Sequence, residues 1–167
     1  MKRFKVGFYG GKFMPFHLGH LYCIQTAMEQ CERVHVILFY GGDDELNILS
    51  SALSEEKEFL SVQNRLAALN EAKKLFPNII ISTIDVTQVK LPDGSEDWDG
   101  ETPLVLAITG RMDAVYSSEP SYDDYFKRAY PWAEHVLVDP PRIKFPVSGT
   151  MLRTMKHEGK DVKKWII

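Results

Sequence analysis

Cysteine is scarce in this chain: Cys23 and Cys31 are the only two in 167 residues. Both fall in one predicted helix, too far apart along it for a short bridge and unlike any metal-ligand spacing, so a disulfide framework is excluded. Reduced thiols in a cytoplasmic protein are the expectation. Positive charge is not in excess either. Twenty Lys and Arg stand against 23 Asp and Glu, a formal net charge of −3, which provides no global field to hold a nucleic acid by counterion release. Any anion site must be local. Long apolar runs are missing as well: the basic start Met1-Lys2-Arg3-Phe4-Lys5 leads into a run that breaks at Gly7, Gly10 and Gly11, so neither a signal peptide nor a membrane span is expected. No internal repeat and no phosphate-binding run of the G-x-x-x-x-G-K-[ST] kind occurs.

What is present suits a folded chain. Hydrophobic residues make up 44% and charged residues 26%, and the length fits one domain over 1–167 with a substantial core. Lys5 to Tyr9 reads as a buried strand, followed by glycines and an apolar-periodic helix from Leu18 to about Cys31. Val34 to Tyr40 is a second strand, apolar throughout as in a sheet covered on both faces. A polar loop is expected from Asp43 to Ser54, then a helix from Ser61 to Phe76 with Val62, Leu66, Leu69 and Ala72 on one face. Strands follow at Ile79 to Ile84, Ala114 to Ser117 and His135 to Val138. Helices are expected near Pro103 to Gly110, with Pro103 in the first turn, at Tyr122 to Ala129, and from about Ser148. This alternation predicts a doubly wound, Rossmann-like α/β fold with a parallel sheet, whose ligands gather at the carboxyl ends of strands.

Two motifs fall at such ends. Gly10-Gly11-Lys12-Phe13-Met14-Pro15-Phe16-His17-Leu18-Gly19-His20 follows the first strand and opens the first helix. Glycines allow close backbone approach, and a helix N-terminus offers unpaired N–H groups and the positive end of its dipole, so an anion is the natural guest. His17 and His20, three apart, can turn their rings to one charged centre as phosphate donors. Val147-Ser148-Gly149-Thr150-Met151-Leu152-Arg153 opens the last helix. Ser148 and Thr150 can cap it or hold phosphate, and Arg153 adds a planar fork of donors.

The first motif resembles the G-[KR]-F-x-P-x-H-x-G-H signature of the nucleotidylyltransferase superfamily, and its wording is similar to nicotinamide mononucleotide adenylyltransferases of the NadR type. The second is similar to the family's I-S-[SG]-[TA]-x-[IL]-R signature. The likeness continues through Gly42-Asp43-Asp44, Arg65-Leu66, Trp98-Asp99, Tyr116 to Glu119 and Val138 to Arg142, nearly the whole chain. It implies adenylyl transfer from ATP, accompanied by magnesium, to nicotinamide mononucleotide, with no protein-bound metal. His17, His20 and Lys12 would be catalytic. Gly10, Gly11, Phe13, Ser148, Thr150, Arg153 and Arg142 would hold ATP's phosphates. Ser117, Ser118 and Glu119 would meet its adenosine, and Trp98 and Asp43 the acceptor.

Rival readings remain at this level: another phosphorylated acceptor such as phosphopantetheine, a nucleotide sensor without chemistry, or an RNA-binding relative of tRNA synthetases. Trp98 could simply anchor a loop. Arg65 could reach a phosphate or pair with an acidic neighbour on its helix. Asp43, Asp44, Asp97 and Asp99 could be paired catalytic carboxylates or solvated loop residues. The kinase domain that NadR-type proteins generally carry has no counterpart in these residues, so only adenylyl transfer carries over. The sequence leaves a homo-oligomer open, and Trp165-Ile166-Ile167 could dock on the core or pair with a neighbour.

Overall fold

Successive residues of a strand face opposite sides of a sheet, so a strand apolar at every position must be covered on both. Cys31–Tyr40 is such a strand: Val34, Val36 and Leu38 enter one hydrophobic cluster while Ile37 enters another. The computed structural model describes residues 1–167. In chain order its elements are Phe4–Gly11 (β1), Leu18–Gln30 (α1), Cys31–Tyr40 (β2), Asp43–Ser50 (α2), Ser54–Phe59 (α3), Val62–Leu75 (α4), Ile79–Asp85 (β3), Trp98–Thr109 (α5), Ala114–Ser117 (β4), Asp123–Ala129 (α6), Glu134–Leu137 (β5) and Gly149–His157 (α7).

All five strands are parallel, in the order β3-β2-β1-β4-β5. Helices α1 and α4 cover one face, through Ile24, Ala27, Leu69 and Ala72. Val105 of α5 and Phe126 of α6 cover the other. This is the doubly wound α/β sheet expected. Because β1 has β2 on one side and β4 on the other, the connections leave it in opposite directions, and a crevice opens over the carboxyl ends of β1 and β4.

Three local readings change. The segment from Asp43 to Ser54 is not a loop but mostly α2, continued by α3. These helices are short and polar outward, and what secures α2 is a contact distant in sequence, the buried pair of Glu45 with Arg65 of α4. Cys31 is the first residue of β2, not the end of a helix, so the two buried, unbridged thiols lie on different elements. Helix α5 starts at Trp98, capped by Asp97, whose Oδ1 accepts from the Gly100 amide at 3.1 Å. Pro103 therefore lies in the second turn, beyond the first-turn position expected of it.

At the chain end, Trp165 and Ile166 pack against Val147, Leu152 and Val162 of the same chain. No helix is long and apolar enough to cross a membrane.

Candidate functional site

The crevice is a cleft of about 380 Å³. Its floor is the end of β1 and the loop into α1. Gly10 is extended, and its lack of a Cβ matters through crowding: a Cβ there would stand 2.6 Å from the Phe39 ring and 3.0 Å from Phe8. The sharp turn comes later, at Phe13, which takes a left-handed φ of 55° just before the cis bond between Met14 and Pro15. The Phe13 ring is buried against Tyr9, Phe16 and His20.

His17 is the N-cap of α1. The Gly19 amide donates to its Nδ1 at 3.0 Å, and the His17 amide donates to Nδ1 of His20 at 3.1 Å. Two histidines thus fill the reciprocal roles usually played by Ser or Thr and Glu in a capping box. Each Nδ1 is an acceptor, so each neutral ring carries its proton on Nε2. Burial, with Arg142 nearby, lowers His17 to a pKa of about 4. Burial, His17 and Arg142 push His20 well below the ordinary value. At neutral pH the pair is therefore uncharged, two N–H donors stacked 3.7 Å apart in the cleft wall.

Fixed positive charge comes from Lys12 and Arg142, both lining the cleft. Lys12 Nζ lies 3.0 Å from Asp44 Oδ2 and 4.0 Å from Glu96 Oε2. The Lys12 carbonyl accepts from Arg65 Nη1 at 3.1 Å, and Arg65 also pairs with Glu45, which accepts from the Gly41 amide at 2.8 Å. Arg65 is thus buried behind the motif, paired with an acid from another helix. Arg142 donates to the Val147 carbonyl at 2.7 Å. It has a φ of 54°, and Asp139 one of 46°; with Phe13 these are the only non-glycine residues in the left-handed region, and all three line the cleft. Backbone strain of this kind concentrates at functional sites.

The second motif meets the first at Met14, whose carbonyl accepts from Arg153 Nη1 at 2.6 Å. Arg153 also donates to Thr150 Oγ1 at 3.2 Å, and Ser148 caps α7 by accepting from the Met151 amide at 3.1 Å. Ser148, Thr150 and Arg153 stand beside the cleft and are not part of its lining. Asp43 is outside it too, paired with Lys90 at 3.2 Å; its neighbour Asp44 lines the cleft instead.

The opposite end is aromatic and acidic. Trp98 stands edge-on to Tyr122 and Tyr125, with ring centroids at 5.1 and 5.3 Å. One helical turn on, Glu101 lines the same wall, buried, with Glu96 in hydrogen-bonding reach. Burial and that neighbouring carboxyl hold Glu101 well above the usual carboxylate range. None of Asp43, Asp44, Asp97 and Asp99 joins a carboxylate pair: Asp97 is a helix cap, Asp99 binds Arg128 at 3.0 Å, and the other two bind lysines. Glu96 and Glu101 form the carboxyl pair instead.

Ser117, the last residue of β4, and Glu119, two residues beyond it, line the cleft. Ser117 Oγ lies 2.7 Å from Nε2 of His135, whose Nδ1 lies 3.0 Å from Asp123, so the hydroxyl is held by a chain of three side chains. Sequence reasoning did not find His135, Asp123, Glu96 or Glu101. Only the i, i+3 spacing of Trp98 and Glu101 gave a signal for any of them.

The model of the cytidylyltransferase-like family matches residues 8–155. The chain is 32% identical to the trifunctional NAD biosynthesis/regulator protein NadR of Escherichia coli (strain K12) over 155 residues, 89% of this chain and 36% of that protein. It is 31% identical to the nicotinamide/nicotinic acid mononucleotide adenylyltransferase of Acinetobacter baylyi, over 92% of this chain and 76% of that protein. The fold is similar to that of a bifunctional NMN adenylyltransferase/ADP ribose pyrophosphatase from Francisella tularensis, with a TM-score of 0.69 at 16% identity, over 98% of this chain and 45% of the other. The chain spans about a third of the length of the NadR proteins it matches.

Proposed function

The chain belongs to the cytidylyltransferase-like family, and from that premise we propose that it transfers the adenylyl group of ATP to nicotinamide mononucleotide, giving NAD and pyrophosphate. The observation that carries this reading is the stacked His17 and His20 pair: two neutral imidazoles with their N–H donors on Nε2, at a helix N-terminus in a cleft flanked by Lys12 and Arg142. Such a wall suits a phosphate that changes charge and shape during reaction. The relatives named for NAD biosynthesis and for mononucleotide adenylyl transfer support the acceptor.

In this reading the acceptor's phosphate oxygen attacks the α-phosphorus of ATP in line, and the bond to pyrophosphate breaks on the far side. The protein forms no covalent bond. It holds two anions together and meets developing charge with fixed donors. His17 and His20 donate from Nε2 to α-phosphate oxygens. Lys12 exchanges Asp44 for phosphate, and Arg142 offsets charge beside it. Gly10, Gly11 and Phe13 supply the close-lying backbone. Ser148, Thr150 and Arg153, the last of them anchored to the Met14 carbonyl, receive the leaving pyrophosphate at the edge of the cleft. Ser117 and Glu119 take the adenosine, and Trp98 takes the pyridine ring; Asp43, outside the cleft and paired with Lys90, takes no part in this scheme.

Magnesium fits this site as a companion of ATP. The chain brings no three His, Cys, Asp or Glu side chains together for a metal, and magnesium commonly keeps several waters and binds through substrate phosphates. It would supply charge neutralisation on the leaving phosphates. The buried thiols of Cys23 and Cys31, unbridged, support a reducing, cytoplasmic setting.

The test is NAD formation from ATP, magnesium and nicotinamide mononucleotide, with pyrophosphate release as readout and phosphopantetheine as a parallel acceptor. Turnover with the pyridine nucleotide alone is expected. Turnover with phosphopantetheine alone would assign the cleft to a different acceptor, and ATP binding without turnover would favour a nucleotide sensor.

A further inference from the structure

The cleft is electrically divided. Lys12, Arg142 and the imidazole pair occupy one end, where phosphate belongs. At the other, Glu101 is 7% exposed and its Oε1 has no partner within the protein. Glu96, with a side chain 16% exposed, faces it and also touches Lys12 at 4.0 Å. Two carboxyls this close do not both ionise readily, and a hydrogen bond between them requires a shared proton. One proton leaves the pair with acceptor oxygens to spare in a nearly dry wall, which is costly until a donor arrives. Trp98 and Tyr122 stand edge to face at 5.1 Å beside it, a frame whose ring faces attract a flat cation.

We propose that Glu96 and Glu101 select the acceptor by its ring substituent, taking a cationic pyridine ring that bears an uncharged carboxamide and turning away the corresponding ring that bears a carboxylate. The inference rests on the adenylyl-transfer reading above and adds the specificity of its acceptor. The amide group of a carboxamide presents N–H donors to the carboxyl pair of Glu96 and Glu101 where it lines the cleft. A carboxylate in the same place presents only acceptors to acceptors, with its charge against that of the pair. Discrimination of this kind is strong because the wrong ligand leaves buried polar groups unpaired. The pyridinium charge, common to both ligands, is met by the aromatic faces and the acidic pair, so it draws the ring in without telling the two apart.

The experiment measures kcat/KM at saturating ATP for nicotinamide mononucleotide and for nicotinic acid mononucleotide, in the native chain and in Glu101→Gln and Glu96→Gln. The native chain is expected to favour the amide by roughly tenfold or more, the scale of one hydrogen bond to a charged group. In Glu101→Gln the new side-chain amide can donate to a carboxylate, so the preference narrows by roughly tenfold, through the acceptor KM and not through the KM for ATP. Glu96→Gln, at a more accessible position, moves the preference the same way and covers the case in which the buried variant fails to fold.

Equal use of the two acceptors by the native chain, or a preference unchanged in both variants, overturns selection by the carboxyl pair and leaves adenylyl transfer standing. Product from phosphopantetheine and from neither pyridine nucleotide overturns the parent reading itself.

Discussion

The rings of His17 and His20 lie 3.7 Å apart, centroid to centroid, and 22° from parallel, each oriented by a backbone amide donating to its Nδ1. The hydrogen bonds that cap α1 are therefore the same ones that set the tautomer of the two cleft-lining imidazoles, with the proton on Nε2. In the proposed reaction, structural and chemical roles coincide in these two side chains, and substitutions have to be chosen to separate them.

His20→Ala is expected to lower kcat by about 10²–10³, the scale of a lost transition-state donor, with circular dichroism unchanged. His17→Asn keeps a good N-capping side chain while removing the imidazole, so its unfolding midpoint should stay near the native value as kcat falls; His17→Ala should lose activity and also about 1 kcal/mol of stability. Near-native turnover in His20→Ala would remove the imidazole pair from the chemistry.

Acid should destabilise the fold through the same pair. In the unfolded chain an imidazole binds its proton near pH 6.5, whereas in the fold His17 does so only near 4 and His20 is also depressed. Between these values the unfolded state holds more protons, so stability rises with pH. The contribution is complete above pH 6.5 and is lost as pH falls towards 4, by about 3 kcal/mol for His17 alone. Urea unfolding at pH 7, 5.5 and 4.5 checks this, with a shallower decline expected in His17→Asn.

Glu101 acts with the opposite slope. Its raised folded pKa means that the fold keeps a proton the unfolded chain gives up, so stability declines as pH rises from the ordinary carboxylate range towards the folded value. Glu101→Gln should be more stable than the native chain at pH 8 and no more stable at pH 4.5. Thermal unfolding at the two values distinguishes them; equal differences at both would mean that Glu101 is ionised in the fold.

Arg65 supports the first motif from behind, through the Lys12 carbonyl and the buried Glu45 carboxylate. Arg65→Ala leaves Glu45 without its cation and should cost about 3–5 kcal/mol. The double variant with Glu45→Leu and Arg65→Met should recover much of that in urea unfolding while turnover stays low, because the Lys12 loop has lost a fixed contact. Full turnover in the double variant would show that the loop holds its own shape.

Trp98→Ala should raise the acceptor KM about tenfold, the scale of lost cation–π and stacking contacts, with the ATP KM unmoved; Trp98→Phe should restore part of it. A tryptophan that merely anchors the loop would instead show up as a lowered unfolding temperature with both KM values unchanged.

Local pattern and composition were enough to find the sheet. The all-apolar run Val34 to Tyr40 could only be a strand covered on both faces, and the alternation of strands with helices led to the doubly wound order. The two motifs were legible because close backbone approach and helix-start donors demand particular residue types at fixed spacing. Helix α2 was not legible, because its polar sequence Asp43 to Ser50 carries a weak local signal and is held by Glu45 reaching Arg65, 20 residues on.

By itself, then, the sequence determined the fold class and the place of the glycine-rich motif with Lys12, His17 and His20 at a strand end and helix start, since these follow from periodicity and chain-neighbour geometry; Arg142 was reached only through the resemblance to a known family. Only the tertiary structure decided which acids meet. It paired Asp44 with Lys12, placed Asp43 outside the cleft, buried Arg65 behind the motif, and brought Glu96 against Glu101 and Ser117 against His135. Each is a contact between elements, and a side chain's charge state depends on burial and neighbours that no local pattern encodes.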